Sequence, residues 1–395
     1  MSRKFKNLIK FFLRKIGGFS PIYSKKIIQK FSIKKSHVFF GYYDTTPFNH
    51  DDSILLASSV SSKKAPFASY LNLGYFDLKN KKPSFVNFAK TKAWCWQMGA
   101  RLRWLAKQVA VVSYNSIENE KYINIFQNPF SGQVCEKYEL PFYDIDRKDS
   151  LAVSLNFSRL ERLRPGYGYS YLEDATQNKH NPNDDGLIIY DIKRKAKVDI
   201  ISLEQISDIK TDVSMDGAQH YFNHVSFSPY SDYFIFFHLW IKNHKRYRRL
   251  FLYNINKKKI ELLSNNLISH YAWKNENEIL ITEVVEGLFG YNLYNIHDKN
   301  FKPIGNEKLV EDGHPSFIND DIIIADTYPN LLGYQKLFQY NLKEDSILKI
   351  GTFFSPPNFT FDNKCDLHPR LNRQKNLICI DSASSGKREI ILLER

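Results

Sequence analysis

The sequence predicts an all-β fold, a seven-bladed β-propeller with a basic amphipathic helix at its N-terminal end. Three observations lead there. Four histidines, His224, His270, His314 and His368, each open one repeated phrase: histidine, two residues, an aromatic residue or leucine, a polar turn, then an apolar run (YFIFF, EILIT, DIIIA, NLICI). Their intervals of 46, 44 and 54 residues are the length of one four-stranded blade. From about residue 36 onward the chain consists of short β-branched and aromatic runs punctuated by turn residues, with no long helical pattern between them. A hydrophobic fraction of 43% and an aromatic fraction of 15% supply the material for a large core.

Residues 1–35 form the first element. They hold eleven Lys or Arg and no Asp or Glu, which leaves the rest of the chain close to neutral despite a net charge of +14. A general nucleic-acid partner is therefore not expected, because the body lacks a matching basic excess. Phe5, Leu8, Ile9, Phe12, Leu13 and Ile16 follow helical spacing, with Lys4, Lys6, Lys10, Arg14 and Lys15 interleaved. That pattern suits a helix lying on an anionic membrane surface. Docking on the propeller, or a partner-binding arm, is the alternative. Charges interrupt the apolar stretch, so a secretory signal is not expected, and no stretch approaches the roughly 20 apolar residues of a membrane span.

Residues 36–395 are read as the propeller. Three upstream blades run over 42–88, 100–142 and 143–206, the third carrying a long loop at 158–186. The clearest blade begins at His224 and reads HVSFS, YFIFFHLW, RRLFLYNI and IELLS. Two more follow from His270 and His314. The last starts at His368 and stops one strand short, so an N-terminal strand around His37–Phe40 is expected to close the ring. A six-bladed count also fits, because the third blade is irregular.

Equivalent positions in a propeller come to one height and radius about its axis, so four histidines in register predict one central cluster. Each is followed by a second ionisable group near the end of the next strand: His238, Glu283, Asp326 and Asp381. Arg101, three residues before Trp104, holds the histidine's place in the second blade. Imidazoles with carboxylates and no thiolate pair suit a divalent first-row metal, with its ligands among His224, His270, His314 and His368. The competing explanation is a structural hydrogen-bond cycle linking His to Asp across blades. Gln97, Arg101, Arg164, Tyr167, Tyr169, His238, Trp240, Asp326, Tyr328, Arg370 and Asp381 complete the candidate set. Arginine forks match carboxylates and flat rings stack on sugars, so an acidic saccharide is the expected ligand. Cys95, Cys135, Cys365 and Cys379 form no CxxC pair and suit a reducing compartment. Together with the basic helix they predict a cytoplasmic protein, peripheral at the inner membrane.

The segments NHVSFSP, SHYAW, DGHPSF with DTYP, and CDLHPRL with IDSASSGKRE resemble the seven-bladed propellers of oligogalacturonate-lyase-like proteins, a polysaccharide lyase family. Similar chains occur among products of bacterial surface-polysaccharide loci. The resemblance runs from about Gly41 to the end, includes LNFSRLERLRPGYGY, and leaves the basic segment outside. It implies a central metal, often Mn²⁺, held by histidines, and β-elimination at a uronic acid. The implied base is His224; His270 matches the first metal ligand and His368 the last. Where the family's last segment has a second histidine and a glutamine, Asp366 and Asn363 stand here. The expected function is metal-assisted elimination, with Arg101 or Arg164 holding the uronate carboxylate. Alternatives are a non-catalytic glycan-binding propeller, or a hydrolase- or transferase-associated protein of capsule or O-antigen biosynthesis. No dinucleotide-binding fingerprint supports transfer.

Overall fold

A computed structural model describes residues 9, 12–15, 22–61, 69–305 and 307–395. Seven antiparallel sheets are arranged as the repeat predicts, and the six-bladed alternative does not hold. Blade 1 comprises Ser36–Phe39, Ile54–Ser61, Leu71–Asp77 and Val86–Thr91; blade 4 comprises Gln219–Phe227, Tyr233–Lys242, Lys245–Asn254 and Lys259–Ser264. Blades 2, 3, 5 and 6 begin at Arg103, Asp144, Leu267 and Ser316. Blade 7 comprises Arg370–Leu371, Leu377–Ser382, Glu389–Glu394 and, on its outer edge, Ile27–Phe31.

That last strand corrects the expected closure. His37–Phe40 does not complete the final blade; Ser36–Phe39 is the inner strand of blade 1, paired with Ser58–Ser61. The ring is closed one strand earlier, where Ile27 pairs with Leu393 and Phe31 with Ile390. Ile22–Tyr23 adds a fifth strand to blade 6. Residues from 22 onward therefore lie in propeller sheets, although their charge resembles that of the preceding helix. The burial pattern of Ile27–Phe31 alternates, as a strand covered on one face requires.

Residues 9 and 12–15 are helical. The stripe positions Phe5, Leu8 and Ile16 and the lysines Lys4, Lys6 and Lys10 lie outside the described residues. Within them the expected faces are reversed in part: Ile9 and Phe12 are exposed, whereas Arg14 is 8% exposed and packs against the turn at Gly333.

The second strands are buried throughout because a blade is covered on both faces by its neighbours. Phe234, Ile235, Phe236 and Phe237 in blade 4 are all essentially inaccessible. Phe236 stacks on Phe251 at 5.4 Å. Removing such a ring costs about 3–5 kcal/mol, through lost transfer energy and the cavity left behind. Outer strands carry charge instead, as in VCEKY at Val134–Tyr138, which discourages pairing with other chains. Tight two-residue turns at Asn119–Glu120 and Asn243–His244, all with positive φ, join second to third strands; their left-handed backbone matches the strand twist.

Blades 7 and 1 are locked by one buried ion pair. Arg370 donates to both oxygens of Asp381, at 3.0 and 3.3 Å, and Asp381 also accepts from the amides of Phe40 and Gly41. Arg370 donates in turn to the Gly41 carbonyl. Removing one member of a buried pair strands the other charge, at a cost of about 3–5 kcal/mol. Asp381→Ala is therefore expected to lower unfolding free energy by about that amount in urea titrations; a loss below about 1 kcal/mol would show the clamp to be dispensable.

Candidate functional site

The four histidines converge. Ring centroids lie 4.2 Å apart for His270 and His314, 4.3 Å for His314 and His368, and 6.4 Å for His224 and His270. All four side chains are buried. They reach the axis because backbone leaves the sheet at their positions. Pairing in blade 4 shifts between Asn223 and Ser226, and in blade 5 between Ile268 and His270. His224, His368 and Arg101 take left-handed φ values of 54°, 47° and 54°, a conformation costing about 1–3 kcal/mol in a non-glycine residue. The residue before each of the last two accepts a bond from the second strand: Asn115 N to Ala100 O and Asp381 N to Leu367 O. Arg101 thus occupies the histidine's register, as the spacing predicts.

In blade 1 the excursion is longer. Pairing stops at Phe39 and resumes at Phe48 opposite Leu55, so residues 40–46 enter the channel. Gly41 has φ +136°, and a Cβ there would lie 2.9 Å from the Met98 carbonyl carbon; only glycine fits. The Tyr42 ring stacks on His224 at 5.3 Å and meets His368 edge-on at 4.9 Å. The Tyr43 ring is 5.2 Å from His314.

Hydrogen bonds set the imidazole tautomers. His314 Nδ1 is 2.9 Å from Asp326 Oδ1, and His368 Nδ1 is 2.8 Å from the Gly41 carbonyl. Both partners accept only, so Nδ1 carries the proton and Nε2 presents a lone pair. Neither Nε2 has a partner, although both are buried. This is how proteins orient metal-ligating histidines. Gly313 makes room for the Asp326 contact, since a Cβ there would lie 1.8 Å from the Asp326 carbonyl oxygen. His314, His368 and Asp366 bring one ligand atom each within 4.8 Å of one another. The donor set of two imidazoles and a carboxylate fits a divalent first-row ion. The structure thus brings Asp366 to the histidine cluster.

His270, expected as a ligand, stands outside that triad. Its Nδ1 is 3.0 Å from Asp312 Oδ1, and its Nε2 faces the Tyr328 hydroxyl at 3.3 Å. Burial, then His314 beside it, lowers its pKa to about 4. His224 has no partner at either nitrogen. Burial and the nearby Arg164 push it well below the usual imidazole value, so it is neutral and able to accept a proton.

The rim beyond the histidines is cationic. The Arg164 guanidinium lies 4.0 Å over the Tyr167 ring, and Lys364 Nζ lies 4.5 Å over the Tyr328 ring. Lys364 also pairs with Asp366 at 2.8 Å. Burial alone would raise the Asp366 carboxyl, but Lys364 holds it below the ordinary range. Burial likewise opposes ionisation of the Tyr167 phenol, yet Lys364 and Arg164 bring its pKa below the usual tyrosine value. Arg248 adjoins Arg164, Asp312 and Tyr328, and Arg14 adjoins Asp366. Arg14 keeps two guanidinium nitrogens without partners.

Other expected site residues are placed elsewhere. Arg101 is spent on a bidentate pair with Asp44, at 2.8 and 3.2 Å, and on the Tyr143 carbonyl. Tyr169 is a core ring, 4.1 Å from Phe157 and bonded to Asn115. Gln97 donates to the Lys364 carbonyl at 2.7 Å and so positions the rim. Asp326 orients His314 and accepts from the His368 amide at 3.0 Å, which ties blade 6 to blade 7. Arg370 and Asp381 form the ring lock described above. Glu283 is buried among Ser264, Asn266, Asn292 and Tyr294. His238 and Trp240 belong to a separate network in blade 4, with Trp240 bonded to Ser214 and stacked on Tyr247. Tyr42, Tyr43, Arg248, Asp312 and Lys364 escaped sequence reasoning. DGHPSF places Asp312 just before His314, and Lys364 immediately precedes CDLHPRL; Tyr42 and Tyr43 sit on an excursion that carries no period, and Arg248 lies on the regular third strand of blade 4.

No family model and no curated protein matches the chain. Solved structures do. An oligogalacturonate lyase in complex with manganese superposes with a TM-score of 0.67 at 12% identity, over 94% of this chain and 96% of that one. An oligogalacturonate lyase from Vibrio parahaemolyticus gives 0.62 at 12% identity, with the same coverage. The β-propeller domain of the trilobed protease from Pyrococcus furiosus gives 0.53 at 7% identity, over 91% and 96%. At these identities the likeness establishes the seven-bladed architecture.

The blade 4 network makes a pH prediction. The Arg249 Nε–H donates to His238 Nδ1 at 3.1 Å, which fixes the proton on His238 Nε2; that nitrogen is 2.8 Å from His220 Nδ1, and His220 Nε2 faces the Met215 carbonyl. Both rings must be neutral. Burial lowers His220 to about 4 and His238 well below its usual value. The unfolded chain therefore binds more protons below pH ~6.5, so stability rises with pH across this window and falls on acidification. His220 alone accounts for a loss of about 2 kcal/mol between pH 7 and 5. Urea titrations at the two pH values should show it, and His220→Gln should reduce the difference. An equal difference in that variant would exclude the network as its source.

Proposed function

We propose that the central site binds an acidic saccharide and cleaves it by metal-assisted β-elimination. One observation carries this reading: His314, His368 and Asp366 converge with unpartnered imidazole nitrogens beside His224, a buried neutral histidine free to take a proton. The solved lyases of the same architecture support it.

Arg164 and Arg248 receive the uronate carboxylate as charge-assisted forks, and the Tyr167 and Tyr328 rings flank the sugar. His224 removes the C5 proton as general base. The electron pair forms the C4–C5 double bond, and the bond from C4 to the glycosidic oxygen breaks. Tyr167 gives its proton to that oxygen, a role helped by the cations that lower its pKa. A divalent ion held by His314, His368 and Asp366 would supply Lewis-acid stabilisation of the charge developing beside C5. Lys364 fixes Asp366, and Tyr328 shares Lys364 with it.

Incubating the protein with oligosaccharides of galacturonate, glucuronate and mannuronate plus Mn²⁺ should produce the ultraviolet absorbance of an unsaturated uronate. His224→Ala should lower kcat by about 10²–10⁴, the usual share of a general base, with metal content unchanged. His368→Ala should remove bound metal. Metal bound without absorbance across all three polymers would eliminate the lyase reading and leave a binding propeller.

The basic N-terminal segment is proposed to hold the protein at an anionic membrane surface. Ile9, 38% exposed, is a described apolar group on the surface of this segment. Co-sedimentation with phosphatidylserine vesicles should fall sharply in Ile9→Glu, and unchanged sedimentation would rule out insertion through this face.

A further inference from the structure

The channel has a second mouth, two or three residues further along the inner strands than the histidines. A cavity of about 170 Å³ opens there, lined among others by Tyr43, Arg147, Ser226, Tyr271, Trp273 and Ser316. These residues come from blades 1, 3, 4, 5 and 6, so the cavity lies on the axis. Tyr43 separates it from the metal-ligating residues. The Tyr43 ring faces His314 on one side and lines the cavity on the other, and its hydroxyl is fixed by the backbone of Tyr271 at 2.9 and 3.1 Å.

Its polar groups are donors left without acceptors. The Tyr271 hydroxyl is unpartnered in a side chain only 2% exposed, and the Trp273 indole N–H, which can only donate, is unpartnered too. Burial and then Asp44 raise the Tyr271 phenol well above its ordinary value, so it keeps its proton. Asp44 itself lines the cavity and Asp144 stands beside it, and both carboxylates are already matched: Asp44 by the Arg101 fork, and Asp144 by Arg103 and the amides of Ile145 and Phe227. The Arg147 residue is exposed and its guanidinium makes no hydrogen bond; Arg103 and Arg373 are its cationic neighbours and Asp144 and Asp44, both already matched, its anionic ones. Local charge is therefore positive, with one cation uncommitted at the cavity itself.

We infer that this second mouth is a binding site for a small carboxylate carried on a single ring, held by Arg147, the Trp273 N–H and the Tyr271 hydroxyl. One uncommitted guanidinium with neutral donors balances one negative charge. A dry cavity of about 150 Å³ accommodates benzene, so the space suits one six-membered ring. Tyr43 and Trp273 give that ring flat walls, and Ser226 and Ser316 add hydroxyls for a sugar acid. The inference does not depend on the lyase reading, because no residue of the proposed reaction takes part.

The full-length protein should be titrated calorimetrically with D-glucuronate, benzoate, inorganic phosphate and neutral D-glucose. Saturable binding of a carboxylate, with none of glucose, is expected. Arg147→Met should weaken it about tenfold or more, the usual worth of a charge-assisted hydrogen bond. Trp273→Phe, which keeps the wall and deletes the donor, should weaken it several-fold. Binding should survive in Arg164→Met, where the proposed uronate site has lost its cation, and that separates this site from the histidine cluster. No saturable carboxylate binding, equal affinity in Arg147→Met, loss of binding in Arg164→Met, or preference for phosphate would each overturn the inference. Glucuronate binding without benzoate binding would confine the ligand to sugar acids and still support the site.

Discussion

The centre of this propeller depends on backbone leaving its own sheets. A regular inner strand would alternate its side chains between the neighbouring blades, and none would meet at the axis. Shifts at Asn223–Ser226 and Ile268–His270, the excursion of residues 40–46, and left-handed φ at Arg101, His224 and His368 turn side chains inward instead. Each departure costs backbone energy. The blades offset it with bonds that only the distorted geometry allows, such as Asp326 accepting from the amides of both His314 and His368. Strain and site are thus one feature.

Two kinds of histidine follow from that geometry. His224, His314 and His368 carry a free nitrogen, whereas His270 and the blade 4 pair, His220 and His238, carry none. His220 and His238 hand one hydrogen-bond direction from Arg249 to Met215, and every ring nitrogen is used. Burial lowers the pKa of His224 and His368 as it does that of His220 and His238, so basicity alone would not tell these apart. The unpartnered Nε2 atoms of His314 and His368, and both nitrogens of His224, do.

The fold was legible because the repeat length is a covalent property of the chain, and His-x-x-Phe marks its phase. The closing strand was not. IIQKF at Ile27–Phe31 sits in a uniformly basic stretch, and its alternation is too short to stand out beside the helical spacing before it. The cluster of histidines was legible for the same reason as the blades. Its companions at the ends of the second strands were only half legible, since a position near a strand end points to the axis or into a blade according to a one-residue change of register. Asp326 reaches His314, whereas His238 and Glu283 turn into the interior of their blades. Arg101 shows a different limit: sequence gave its place but not its partner, Asp44, which arrives from another blade.

Closure by the segment Ile27–Phe31 has a consequence for biosynthesis. This early strand pairs with Glu389–Glu394, on the far side of all the other blades in the sequence, so the chain must keep an apolar, edge-competent segment unpaired until the seventh blade has been made. Blades 2 to 5 consist of consecutive strands and can form as they emerge. The junction that carries Gly41, Tyr42 and His368 to one another forms only once blade 7 has been made, and the centre therefore matures after blades 2 to 5.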